Sequence, residues 1–227
     1  MRNTGFFPNG TNTTVGDPFN PTYFGPVNFI HIATDSNSKY RLFAESGYAR
    51  DTIEIGRWLQ LIGGARFDRF DLSTLDMNTN TQRARVDDKT SPHAAVIVKP
   101  MDTMSIYTAW SISYLPASGD QLSTLSNGTV LLVPQKFEQS EAGFKWNVNP
   151  RLQFTAAGYY LVRTNVPIAD PANPGFFLAS GSHRIKGFEA GLNGFITPEW
   201  QSSLGYAYTD ARITSDTSAT IDRKSVV

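Results

Sequence analysis

Apolar and polar residues alternate with a period of two in about eight separate segments of this chain, the mark of strands whose two faces meet different surroundings. The parity is plain in the second segment. Leu59, Leu61, Gly63, Ala65 and Phe67 fall on one face, and Gln60, Ile62, Gly64, Arg66 and Asp68 on the other. The same reading places strands over 40–54, 58–70, 94–99, 105–114, 137–146, 152–163, 185–195 and 201–211. Short turns at Ile55-Gly56-Arg57, Pro100-Met101-Asp102, 147–151 and Thr197-Pro198-Glu199 close them into pairs. Long polar stretches at 72–90, 115–135 and 164–183 join one pair to the next. The first of these carries Asp76, Arg83, Arg85, Asp87 and Asp88 and almost nothing to bury, so a solvated loop is expected there. No helical period of apolar residues is sustained, which argues against an α/β enzyme.

Alternating segments of about ten residues, with short turns at one end and long loops at the other, are the sequence form of an outer-membrane barrel. Hydrocarbon cannot satisfy a backbone N–H or C=O, so strands cross it only as closed antiparallel barrels, apolar side chains in lipid and polar ones in the lumen. Aromatic placement agrees: Trp58, Trp146 and Trp200 lie beside short turns, and Phe67, Tyr114, Tyr160 and Tyr208 lie at the opposite ends, where two headgroup layers would meet the wall. Trp58 alone of the three Trp residues breaks the outward parity if alternation is carried to the turn. The fold expected is therefore all-β, an antiparallel transmembrane barrel. The alternatives are a complete small eight-strand barrel, structural or enzymatic, and a soluble β-sandwich binding module, in which loops seldom alternate so regularly between short and long.

Composition narrows the function classes. Basic and acidic residues balance at 20 each, which leaves no electrostatic footprint for nucleic acid. The chain has no cysteine, hence no disulfide, thiolate zinc site or thiol catalysis. No window approaches the roughly 18 apolar residues of a spanning helix. No apolar run followed by a small-residue cleavage site opens the chain, so an exported protein is expected to have lost its start.

Several stretches resemble the TonB-dependent siderophore receptors. The most specific is Pro134-Gln135-Lys136-Phe137-Glu138-Gln139-Ser140-Glu141-Ala142-Gly143-Phe144-Lys145, similar to the family's Pro-Glu-x-x-x-x-x-Glu-x-Gly-x-Lys barrel signature, with Gln135 where Glu is usual. Tyr48-Ala49-Arg50-Asp51, the run from Gly181 to Glu189 and the run from Gly205 to Ala211 fit as well. The resemblance implies part of a barrel of about 22 strands, about eight of them present over residues 1–221, with a lumen that holds a plug. It also implies a location in the bacterial outer membrane, a ferric siderophore as cargo, energy from the TonB complex through a plug that has no counterpart here, and no enzymatic activity. The branch that takes catecholate or hydroxamate siderophores is suggested by Ser111 to Pro116 and by the Asp-Pro-containing loop before Gly181. The last six residues, 222–227, depart from the rhythm and can be back-translated to a widely used sequencing adapter, so they are expected to be a non-native tail.

Other chemistry finds little support. His31, His93 and His183 stand far apart without ligand spacing, and no cofactor is expected, since iron would arrive inside its siderophore. Asp76-Met77-Asn78-Thr79-Asn80 begins like a calcium loop but has Thr81 where Gly is needed. Asn9-Gly10-Thr11 and Asn127-Gly128-Thr129 match glycosylation acceptors, a pattern short enough to arise by chance. No Gly-x-Ser-x-Gly elbow or phosphate-binding loop occurs. The residues best placed to touch cargo are polar, lumen-facing and near the outer end: Arg66, Asp68, Gln139, Tyr159 and Arg163. Arg and Tyr suit an anionic, aromatic ferric chelate through charge and stacking, although bracing the wall or plug is the blander role for each.

Overall fold

The computed structural model describes residues 2–4, 7–8, 29–30, 37–116, 129, 132–174 and 176–216. His31, Asn9-Gly10-Thr11, Asn127-Gly128 and the tail 222–227 lie outside these. Among the described residues there is no helix. The elements are β1 (Arg2–Thr4), β2 (Phe7–Pro8), β3 (Phe29–Ile30), β4 (Asn37–Ile55), β5 (Leu59–Asp76), β6 (Thr81–Met101), β7 (Met104–Leu115), β8 (Gln135–Asn149), β9 (Leu152–Ala169), β10 (Phe177–Phe195) and β11 (Gln201–Ser215). The eight strands read from the sequence are β4 to β11. They follow one another in sheet order, with β1 beside β4, while β2 and β3 pair apart. Contacts divide the chain into two units, residues 1–43 with 71–85 and residues 44–70 with 86–227.

Most of these strands are longer than a crossing requires. A tilted membrane strand needs about 9–11 residues, whereas β6 has 21, β4 and β10 have 19, and β5 and β9 have 18. The surplus lies at the long-loop end and corrects two expectations. Residues 72–90 are not a loop: β5 continues to Asp76, β6 begins at Thr81, and only 77–80 turn between them. Leu72, Thr74 and Asp87 are buried, so the stretch does have something to bury. The third long loop likewise shrinks, because β9 runs to Ala169 and β10 starts at Phe177. The physical reason is common to both. Above the membrane no lipid imposes apolar residues on one face, so pairing persists through the backbone while the apolar alternation that betrays a lipid-facing strand disappears.

Within the larger unit, the strand faces are inverted relative to a soluble sheet. Directly paired rows such as Ile106–Phe144–Ala156–Ala190–Tyr206 and Thr108–Ala142–Gly158–Phe188–Tyr208 put apolar and small side chains on one face. That face stays open: Leu204 and Tyr206 are each 61% exposed. Phe188 packs beside Tyr206 and Tyr208 at ring separations of 5.6 and 5.9 Å. Trp58, Trp146 and Trp200 are exposed near the short turns, as an aromatic girdle requires. A β-sandwich would bury such a face against a second sheet, so the exposed apolar face belongs to lipid.

The tight turns have specific causes. Gly56 holds φ at +60°, a left-handed conformation that side chains other than Gly rarely adopt, and so lets β4 turn into β5 within 56–58. At the other end, Asp76 Oδ1 accepts the backbone N–H of Asn78 at 2.9 Å and of Thr79 at 3.1 Å, and Asn80 takes φ +52°. The residues that begin like a calcium loop thus make an Asx-type turn.

Candidate functional site

The opposite face carries the candidate site. On β7 to β11 its rows include Ala109–Glu141–Tyr159–Gly187–Thr209 and Tyr107–Gly143–Ala157–Glu189–Ala207. Two tyrosines lie flat along this wall because glycines stand opposite them. Tyr107 crosses Gly143, where an added Cβ would come within 2.9 Å of its hydroxyl, and donates to Glu141 Oε1 at 2.6 Å. Tyr159 crosses Gly187 in the same way, an added Cβ meeting its hydroxyl at 2.6 Å, and reaches Thr209 Oγ1 two strands away at 2.7 Å. Opposed Tyr and Gly therefore give a smooth, polar wall with its hydroxyls fixed in place.

The signature residues explain themselves in these contacts. Glu141 receives Tyr107 and, at 3.3 Å, Gln139 Nε2; Gly143 makes room for the Tyr107 ring. Pro134 and Gln135 pin the start of β8 to β9: Asn165 Nδ2 donates to the Pro134 carbonyl at 3.0 Å, and Arg163 Nε donates to Gln135 Oε1 at 2.7 Å. The Arg163 guanidinium also sits 5.3 Å from the Phe137 ring centroid, a cation–π contact. With Gln135 in place of the usual Glu, the Arg163 contact is a hydrogen bond without a counter-charge.

All five residues picked from the sequence are in the larger unit, and all have partners within the wall. Gln139, Tyr159 and Arg163 share one face of adjacent strands through the pairs Gln139–Leu161, Glu141–Tyr159 and Phe137–Arg163. Arg66 and Asp68 form a second cluster on β5: Arg66 Nε bonds Asp68 Oδ1 at 2.8 Å and Nη2 reaches Ser46 at 3.1 Å. Gly64, two positions before Arg66, faces the His93 ring, which fits the expected parity of β5. Tyr107, Glu141 and Thr209 join the site in addition to the residues that the sequence predicts. Glu141 was within reach, since it stands in the signature; Tyr107 and Thr209 become visible only once register sets them against Gly143, Gly187 and Tyr159.

A family model described as TonB dependent receptor-like, beta-barrel, matches residues 2–225. The chain belongs to this family. Members of the TonB-dependent receptor family reside in the bacterial outer membrane. A probable TonB-dependent siderophore receptor, PiuA of Acinetobacter baumannii, is 31% identical over 182 residues, covering 75% of this chain and 24% of its own length. The metal-pseudopaline receptor CntO of Pseudomonas aeruginosa is 29% identical over 175 residues, covering 74% of this chain and 24% of its own. The crystal structure of the ferric-catecholate import receptor Fiu from Escherichia coli superposes with a TM-score of 0.77 at 21% identity, over 95% of this chain and 34% of that one. The chain thus spans about a quarter of the length of the curated relatives it matches.

Proposed function

We propose that this segment is part of the wall of an outer-membrane receptor that imports ferric siderophores, energised by the TonB complex through a plug held in the lumen. The observation that carries the reading is the 31% identity to a probable siderophore receptor over three quarters of the chain. The polar wall is consistent with it. Arg66 and Arg163 each use some of a guanidinium's five N–H donors within the wall, which orients the group and leaves donors for an anionic chelate. Tyr159 and Gln139 add aromatic and amide surface on the face that carries Arg163, and Asp68 holds Arg66 in position. No catalytic role is assigned to any of these residues, and no cofactor is required.

The test is iron-limited growth of a receptor-null strain carrying the full-length gene, supplied with catecholate and hydroxamate siderophores one at a time. Growth rescue by at least one ferric siderophore is the expected result. Because one relative is a metal-pseudopaline receptor, the panel should include a metallophore charged with other metals; rescue of metal uptake without any ferric siderophore uptake would overturn the iron reading. Replacing both Arg66 and Arg163 with Gln should weaken cargo binding, most at low salt, where charge attraction is least screened. Binding unchanged at every salt concentration would remove them from the site.

A further inference from the structure

Near its outer end the lumen wall sets an imidazole directly against Arg163. One row of paired residues, Ser113–Phe137–Arg163–His183–Ile213, crosses β7 to β11 on the lumen face. His183 stands twelve positions from Phe195 at the turn end of β10. A membrane crossing takes about 9–11 residues, so this row lies beyond the hydrocarbon, on the side of the longer loops, which in such barrels faces outward from the cell. The ladders on either side of His183 both break within two residues of it. Between the pairs His183–Ile213 and Ser182–Ser215, Thr214 is left unmatched, and its hydroxyl donates to the Ser182 carbonyl at 3.1 Å. Between Thr164–Ser182 and Val166–Gly181, Asn165 is left unmatched; it takes φ +59° and donates from Nδ2 to the Pro134 carbonyl at 3.0 Å. Bulges of this kind end regular pairing and re-aim the side chains beside them. His183 and Arg163 thus stand where the regular wall gives way to the rim.

The charges in this row are few. Arg163 Nε donates to the neutral Gln135 side chain at 2.7 Å, and the guanidinium lies 5.3 Å from the Phe137 ring centroid, so its direction is fixed without a counter-charge. Its terminal amino groups are left for a ligand. Around the partly buried His183 ring stand Arg163 on β9, the uncharged Ile213 on β11, and Asp216 just past the end of β11. Burial above all, and then the Arg163 guanidinium, hold the imidazole below its usual value of 6.5, against the pull of Asp216. At neutral pH the ring is therefore uncharged, and Arg163 is the cation of the row.

We propose that His183 is a second, proton-dependent cation of the site, which joins Arg163 in holding an anionic ligand and makes that ligand bind more tightly in mildly acidic solution than at neutral pH. An anion set against the Arg163 amino groups offsets the guanidinium's repulsion of a charged imidazole and adds its own attraction, so the ring takes up a proton as the anion binds. A group whose pKa rises on binding adds nothing well above its bound value. Its contribution grows as pH falls from the bound value to the free one, and is complete below the free value. The natural ligand is the ferric chelate of the proposed function, and to that extent the proposal rests on that reading; the anion site itself does not require iron.

The experiment titrates the full-length receptor in detergent between pH 5.5 and 7.5, by calorimetry in buffers of different ionisation enthalpy so that protons taken up are counted. Two probes are used: naphthalene trisulfonate, an iron-free aromatic anion whose charge is constant over this range, and a ferric tris-catecholate. Trisulfonate should bind several-fold, up to about tenfold, more tightly at pH 5.5 than at pH 7.5, with net proton uptake. His183→Gln should lose both the pH dependence and the uptake. Arg163→Gln should weaken binding and move the rise to higher pH, because the imidazole is freed of the guanidinium's repulsion. His183→Arg should bind at pH 7.5 about as tightly as wild type at pH 5.5. That variant decides the matter if the others fail to assemble, because a gain cannot come from misfolding. No trisulfonate binding, a pH dependence that survives in His183→Gln, or no gain in His183→Arg would each overturn the proposal. Ferric tris-catecholate should follow the same course; if it fails to bind while trisulfonate behaves as expected, the anion site stands and a catecholate cargo does not.

Discussion

Tyr107 and Tyr159 show how much of this wall depends on single residues placed opposite one another. Each ring needs a glycine across from it and a polar group beyond it, and each has both. Because the Tyr107 hydroxyl donates to a carboxylate, Tyr107→Phe should destabilise the full-length barrel by about 1.5–3 kcal/mol at most, less where water reaches Glu141; a thermal unfolding midpoint identical to wild type would show that water replaces the bond. At the hairpin tip, the backbone N–H groups of Thr79 and Asn78 hold Asp76 below the usual carboxylate value of 3.8. A depressed folded value means the turn's contribution is complete above that ordinary value and is lost as pH falls through the lower one. Corrected amide protection of 77–81 should therefore be flat from pH 7 to 5 and fall only in more acidic solution. Loss of protection already at pH 5 would refute the Asx-turn account.

At the scale of elements, β8 and β10–β11 offer the clearest tests. Gln135→Glu would set a carboxylate against Arg163 Nε, turning the 2.7 Å hydrogen bond into a charge-assisted one. We expect a stabilisation of up to about 1 kcal/mol, larger at low salt, read as a higher temperature of heat-modified migration; a salt-independent or negative change would mean that Arg163 is oriented by Phe137 alone. Face assignment is tested by Leu204→Arg and Ser203→Arg in the full-length receptor. Leu204 looks into lipid, where a cation costs roughly 2–4 kcal/mol near the midplane and less toward the headgroups, whereas Ser203 faces the lumen and bonds Asn193. Assembly should fail or slow only for Leu204→Arg, and equal damage from both would show the faces to be misassigned. The hairpin made by β5 and β6 carries the element-scale lesson. Its upper half sustains no alternation, Leu72, Thr74 and Asp87 being buried among exposed polar residues, so periodicity reads it as loop, although Asn37, on β4, accepts the Met77 N–H at 2.8 Å and continues the ladder to the tip.

For the molecule as a whole, the sheet order runs from β1 to β11 without closing among the described residues. Strand edges left open in lipid cannot satisfy their backbone groups, and in water they invite aggregation. Residues 1–227 expressed by themselves are therefore expected in inclusion bodies, with no refolded, heat-modifiable, siderophore-binding species; a detergent-stable monomer with protected strand amides would refute this. Much was legible from the chain itself. The lipid-crossing parts of β4 to β11, the side of β7, β8 and β11 that meets lipid, and the placement of Trp146 and Trp200 all follow from alternation, because hydrocarbon imposes a one-sided demand that each side chain records. The signature from Pro134 to Lys145 likewise marked the family. What alternation could not record is what water leaves unconstrained. The extensions of β5, β6, β9 and β10 beyond the membrane carry no such one-sided demand. Which residues meet across strands was also undetermined, because a row such as Tyr159–Gly187–Thr209 joins positions far apart in the chain, and only backbone pairing in a specific register brings them together.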